Sequence, residues 1–205
     1  MSDSFAVFAE GLTDLEDFET LGPQIRSAAS KAVNTVARNR RAAFSRQIRR
    51  EINLPASYVG QGNKNLYVAG KASPTNLQAK IVAAGRPTSL ARYVKGSPKA
   101  GKAGVYIEVA PGKARFMKRA FMIKLPQGSA PVDTKYNMGL AIRLRKGERL
   151  QNKVQARKIA SGLYLLYGPS VDQVFLNGDG TGIARDAVGD IQDELADEFF
   201  RLMEL

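Results

Sequence analysis

Carboxylates are the first side chains to weigh for chemistry, because the 205-residue chain holds neither cysteine nor histidine. That removes thiolate nucleophiles, disulfides, the commonest zinc ligands and the side chain best matched to proton transfer at neutral pH. Asp133 and Glu148 are candidates for holding magnesium in a nuclease, since phosphoryl transfer often uses carboxylate-bound metal. Glu148, however, is followed by Arg149 and Leu150, without the lysine expected two places on, and residues 23–168 contain only four acids. The segment "GSPKAGK" at 96–102 has the glycine and lysine spacing of a phosphate-binding loop, but Ala103 stands where a magnesium-holding hydroxyl is needed. A strand pattern follows it, so no helix N-terminus is expected there to cradle phosphate. "NGDGTG" at 177–182 resembles a calcium loop only partly: counting from Asn177, Val188 occupies the twelfth position, which requires a bidentate acid. A turn with Asp179 or Thr181 capping a helix accounts for it better. The expectation is no catalytic residue, no metal and no cofactor, and hence a protein that is not an enzyme.

Cations are the other resource. The stretch "RNRRAAFSRQIRREINLP" (38–55) carries Arg38, Arg40, Arg41, Arg46, Arg49 and Arg50. They are candidate interface or DNA-facing residues. Non-specific phosphate contact asks only for positive charge. Sequence-specific readers present a short recognition helix or a basic region leading into a zipper, and neither pattern is here. An RNA-binding sheet wants stacked aromatics, and Tyr106, Phe116 and Phe121 are too few and too scattered along the sequence to support that strongly.

The elements that must position these residues follow from periodicity. After Gly22 and Pro23, residues Ile25, Ala29, Ala32, Val36 and Ala43 recur on one side of a 3.6-residue period, with Lys31, Arg38, Arg46 and Arg49 opposite. This predicts a long amphipathic helix that stops before Pro55. Short β-prone runs then alternate with Gly, Pro and Ser: strands are predicted near 65–70, 79–85, 104–110, 114–125 and 138–145. From Gly180 a second amphipathic helix is predicted, with Ile183, Val188, Ile191, Leu195, Phe199 and Leu202 on its apolar face and acids around the other. The fold class is α+β: an antiparallel β-sheet flanked by the long N-terminal helix and the amphipathic C-terminal helix. The expected organisation is an acidic N-terminal arm over 1–22 and a single domain over 23–205.

Charge is segregated along the chain. Residues 1–22 have six acids and no Lys or Arg; residues 23–168 have 29 basic and four acidic side chains; residues 169–205 have two basic and nine acidic. Such a chain can satisfy its positive middle with its negative ends, within one molecule or between copies. No apolar run approaches the roughly 20 residues that span a bilayer, and the acidic start is unlike a secretory signal, so a soluble protein made in the cytoplasm is expected.

"YGPSVDQVF" at 167–175, set before the amphipathic end "LADEFFRLMEL", resembles a hallmark of the minor tail protein Z family, the tail completion proteins of tailed bacteriophages. In the same order, "AASKAVNTVARNRRAAFSRQIRREINLPASYV" is similar to that family's N-terminal helix with its Asn-x-x-Ala-x-x-x-Arg pattern, "AKIVAAGRPTSLARY" to its Gly-Arg-Pro-x-Ser-Leu segment, and "RFMKRAFMIKLPQG" to its Ala-Phe strand. The resemblance runs from about Ser27 to the C-terminus and leaves the acidic arm uncovered. It implies a structural virion protein of the neck, made in the host cytoplasm, which completes the head-proximal end of the tail and enables head–tail joining. It further implies a homohexameric ring whose partners are the tail terminator, tail tube or other head–tail connector proteins, with the packaged DNA end nearby and no membrane. The alternative is a non-specific DNA-binding protein using the basic N-terminal helix. Within "YGPSVDQVF", Gly168, Pro169, Ser170, Val171 and Phe175 are expected to form a structural corner: Gly168 for a sharp turn, Pro169 for the first helical dihedral, Ser170 for free amides, and Val171 with Phe175 as an apolar anchor.

Overall fold

The computed structural model describes residues 22–125, 138–150, 155–176 and 182–203. They belong to two compact units. One comprises the chain up to Ile48, Ala56–Gly85 and everything from Val171 on; the other comprises Arg49–Pro55 and Arg86–Ser170. The acidic arm, apart from Gly22, lies outside the described residues, as do Asp133, Asn177, Asp179 and Thr181.

The first unit is built on α1, Pro23–Glu51. Pro23 pre-sets the first helical dihedral, no other proline or glycine follows within the helix, and Arg49 and Arg50 sit in its last turn, where cations complement the helix dipole. Its buried positions, including Ala29, Ala32, Val33, Val36, Ala37, Phe44 and Ile48, form one stripe at three- and four-residue steps. β1 (Leu66–Ala69) and β2 (Lys80–Ala83) pair antiparallel, with Leu66 opposite Ala83 and Ala69 opposite Lys80. Three helices complete the unit: α2 (Val171–Leu176), α3 (Ile183–Asp186) and α4 (Val188–Met203). Phe175 of α2 is fully buried and meets Phe44 of α1 edge-on, with ring centroids 5.0 Å apart.

The predicted C-terminal helix exists, but it is interrupted. Ala187 closes α3 and separates it from α4, and Val188, expected on the apolar face, is exposed. Gly182 caps α3 because nothing larger fits: an added Cβ would lie 2.3 Å from the Leu176 carbonyl oxygen.

The second unit is a six-stranded antiparallel sheet in the order β3-β8-β6-β5-β4, with β7 paired to β8. Its strands are β3 (Thr88–Ser89), β4 (Ala103–Ile107), β5 (Arg115–Lys124), β6 (Met138–Arg143), β7 (Gln155–Ala160) and β8 (Leu163–Gly168). The five sequence-predicted strands correspond to β1, β2, β4, β5 and β6. β3 is only two residues long, and β7 is exposed at every position, so neither carries an apolar alternation to read. Val105, Ala120, Leu140 and Leu166 are among the fully buried residues of this unit. The chain is α+β, with a long N-terminal helix, a C-terminal helix and an antiparallel sheet. Among the described residues no helix is long and apolar enough to cross a membrane.

Candidate functional site

The six candidate arginines of α1, Arg38 to Arg50, divide by helical phase. The buried stripe runs Val36, Ala37, then Phe44, then Ile48, and the four-residue steps between 36 and 44 land on Arg40 and Arg41. Both are half-buried. Arg40 reaches α4: its Nε donates to Glu194 Oε2 at 2.5 Å, Nη1 lies 3.3 Å from Asp190 Oδ2, and Nη2 donates to the Asp190 carbonyl at 2.6 Å. Asn39 adds a bond to Glu194 Oε1 at 3.1 Å. Arg41 turns to backbone: its Nε donates to the Leu66 carbonyl at 3.1 Å, and its Nη2 to the carbonyls of Val59, at 2.7 Å, and Gly60. Burial lowers the Arg41 pKa from its ordinary value, while three carbonyl acceptors satisfy the guanidinium.

Asn34, one helical turn before Arg38, works the same way as Arg41. Its amide nitrogen donates to the Ala72 carbonyl and its oxygen accepts from the Ala72 N–H, both at 2.9 Å. The Asn-x-x-Ala-x-x-x-Arg pattern, here Asn34, Ala37 and Arg41, therefore faces inward and fixes α1 to the loop and hairpin segments beside it. Arg38 is exposed, and its guanidinium stays on its own helix, 3.3 Å from the Asn34 carbonyl and from Thr35 Oγ1. Arg46, Arg49 and Arg50 are exposed, with no hydrogen bond or ion pair among the described residues.

The predicted corner is where the chain passes from the second unit to the first. Gly168 ends β8, and its φ lies outside the left-handed region, so it does not make the sharp turn expected of it. What calls for glycine there is space: a Cβ would stand 3.0 Å from Leu90 Cδ2 and 3.2 Å from Tyr93 Cε2. Gly168 and Pro169 also line a cleft of about 310 Å³ in the second unit, together with Leu90, Ile107, Tyr167, Lys113 and Arg115. Ser170, Val171 and Phe175 are buried, and the Asp172 N–H donates to the Ala84 carbonyl at 3.2 Å, anchoring the start of α2 to the end of β2.

Among the described residues the second unit carries 18 Lys and Arg side chains against three acids, and the first carries 11 against seven. Two of those three acids are engaged. Glu108 is buried, pairs with Lys95 and accepts from the Gly112 N–H at 2.7 Å; Lys95, then Gly112, hold its carboxyl below the ordinary value. Glu148 receives both Arg119 nitrogens, at 3.1 and 2.8 Å, and the Arg145 N–H at 2.7 Å. Arg119 first, then Arg145, pull its pKa down to about 2. Glu148 is thus committed to structure. "GSPKAGK" leads into β4 rather than a helix, and among the described residues no three acids converge on a point where a metal could sit.

Sequence reasoning set Arg38, Arg46 and Arg49 opposite the apolar stripe but grouped Arg40 and Arg41 with them as interface or DNA-facing candidates. The phase of Arg40 and Arg41 with Val36, Ala37 and Phe44 was the available signal that separates them. The juxtaposition it could not find is Tyr106 with Phe116, opposite each other on β4 and β5, ring centroids 4.8 Å apart and both more than half exposed. Comparison with protein families, curated proteins and solved structures returns no match.

Proposed function

We propose that the protein is a structural component of the bacteriophage neck. It completes the head-proximal end of the tail and enables head–tail joining, as a homohexameric ring that contacts the tail terminator, the tail tube or another connector protein. The observation that carries this reading is the division of charge: the sheet unit is strongly basic, while residues 169–205 carry nine acidic side chains against two basic ones. Asp186, Asp193 and Asp197 are exposed along α3 and α4, and a cationic surface of the next copy is their natural complement. Heterologous contacts of that kind close into rings when the rotation between copies closes. The ordered resemblance to tail completion proteins supplies the biological setting.

The test is localisation and mass. Antibody-labelled electron micrographs of intact virions should place the polypeptide between capsid and tail tube, and native mass spectrometry of the assembled collar should give six copies. Virions lacking the polypeptide at that position would overturn the reading. A second reading, non-specific DNA binding through the basic helix, draws on Arg46, Arg49 and Arg50, which are exposed and unpaired among the described residues. It predicts DNA affinity that falls steeply with salt and is lost when these three become glutamine.

A further inference from the structure

We infer that the β4–β5 edge of the second unit is a docking surface for single-stranded nucleic acid, with Tyr106 and Phe116 as a stacking platform and Lys99, Lys102 and Lys118 as phosphate contacts. The pair is built rather than incidental. Phe116 lies over Gly104, whose φ is +93°, and a Cβ at that position would stand 3.0 Å from the ring. Tyr106 packs against the same ring, centroids 4.8 Å apart and tilted at 42°, while 54 % of Phe116 remains exposed. An aromatic pair fixed in this way, yet open to solvent, contributes nothing to the core that would explain its exposure.

The cations are placed by the loop that resembles a phosphate-binding loop. Gly96 and Gly101 both take positive φ, the Lys95 N–H donates to the Tyr106 carbonyl at 2.9 Å, and the Gly101 N–H donates to the Met122 carbonyl at 2.8 Å. The segment is therefore tied to β4 at one end and β5 at the other, with Lys99 and Lys102 exposed between the ties. Lys118 is exposed two residues beyond Phe116 on β5. None of these three lysines has an ion pair among the described residues, while Glu108 and Glu148 are occupied by Lys95 and Arg119. Unbalanced cations next to exposed ring faces are the combination that binds single strands: phosphates take the charge, and unpaired bases stack on the rings. Duplex bases are already stacked, so the rings favour a single strand. An acidic protein would use the lysines but has no need of two open ring faces.

The inference does not rest on the neck reading; it is measured on purified protein, so either can fail alone. Fluorescence anisotropy with a labelled oligothymidylate of about a dozen nucleotides should show binding that weakens with salt. Tyr106→Ala with Phe116→Ala should lower affinity about tenfold or more while leaving the salt slope unchanged. Lys99→Gln, Lys102→Gln and Lys118→Gln together should reduce the slope by about two, at roughly 0.7 per phosphate contact on a single strand. The three lysines are exposed and the rings about half so, and thermal melting measured beside binding, expected to stay cooperative and shift by only a few degrees, separates lost binding from lost folding. A ring variant that binds like the parent would overturn the inference, as would equal affinity for duplex, or a triple lysine variant that keeps the full slope. Loss of self-association without loss of oligonucleotide binding in the ring variant would instead assign the patch to a protein partner, and would overturn it too.

Discussion

At the scale of single residues, side chains of identical charge have different tasks because their positions on α1 differ in phase. Arg41 satisfies three backbone carbonyls, and Arg38, three positions earlier, satisfies groups on its own turn. Arg41→Ala should therefore destabilise the fold by about 2–4 kcal/mol, because buried carbonyls lose a charged donor. Arg41→Lys should not restore it, since an ammonium cannot reach acceptors spread as a guanidinium reaches them. Urea denaturation of both variants beside Arg38→Ala, which should be nearly neutral, checks this. Glu148 gives a pH prediction. Its folded pKa of about 2 lies below the ordinary 4.5, so its stabilising contact with Arg119 and the Arg145 amide is present above pH 4.5 and lost as pH falls toward 2. An NMR titration of the Glu148 side-chain carbonyl should report that low midpoint, and Arg119→Gln should move it up toward the ordinary value. A midpoint near 4.5 in the parent protein would show that the pairing does not persist in solution.

At the scale of elements, the unit that matters is α1 with α4. α4 is strongly amphipathic, yet Ile191 is its one buried residue, and the polar link from Arg40 to Asp190 and Glu194 contributes where apolar burial is thin. Arg40 and Glu194 side chains are 17 % and 29 % exposed, so their pair is better shielded than a surface ion pair. A double-mutant cycle with Arg40→Ala and Glu194→Ala should give a coupling of about 1–3 kcal/mol. The cycle for Arg201 and Glu198, an i,i+3 pair whose Arg side chain is 67 % exposed, should give a smaller coupling than the Arg40–Glu194 cycle. The break between α3 and α4 belongs to this scale as well. A continuous helix from 183 would put Val188 inward with Ile191, and the interruption at Ala187 leaves Val188 in solvent instead.

At the scale of the molecule, charge is distributed by unit, with 18 basic and three acidic described side chains in one and 11 and seven in the other. Attraction between such surfaces on different copies is screened over a Debye length of about 8 Å at physiological salt. The proposed ring should accordingly loosen as salt rises, with sedimentation shifting from hexamer toward smaller species between low salt and about 1 M. An oligomer indifferent to salt would mean that its contacts are apolar, and the charge division would then need another purpose.

The sequence by itself determined the long helix, its end before Pro55, five of the strands, the acidic C-terminal helix and the α+β class. These depend on spacing along the chain, where an apolar stripe or an alternation is visible without any partner. It also determined the cationic excess of the middle of the chain. Tertiary structure decided where the cations go. Arg40 and Arg41 share a phase with Val36 and Phe44, and their turning inward depends on acids 150 residues away and on carbonyls of the β1 region. Three strands were not read: β7 and β3, because a strand exposed at every position or only two residues long leaves no periodic trace, and β8, whose short apolar run at 163–167 shows no alternation. The pairing of Tyr106 with Phe116 was invisible for a related reason. They lie ten positions apart in sequence, and antiparallel register, in a ladder with a bulge, is what brings the two rings together, tilted at 42°.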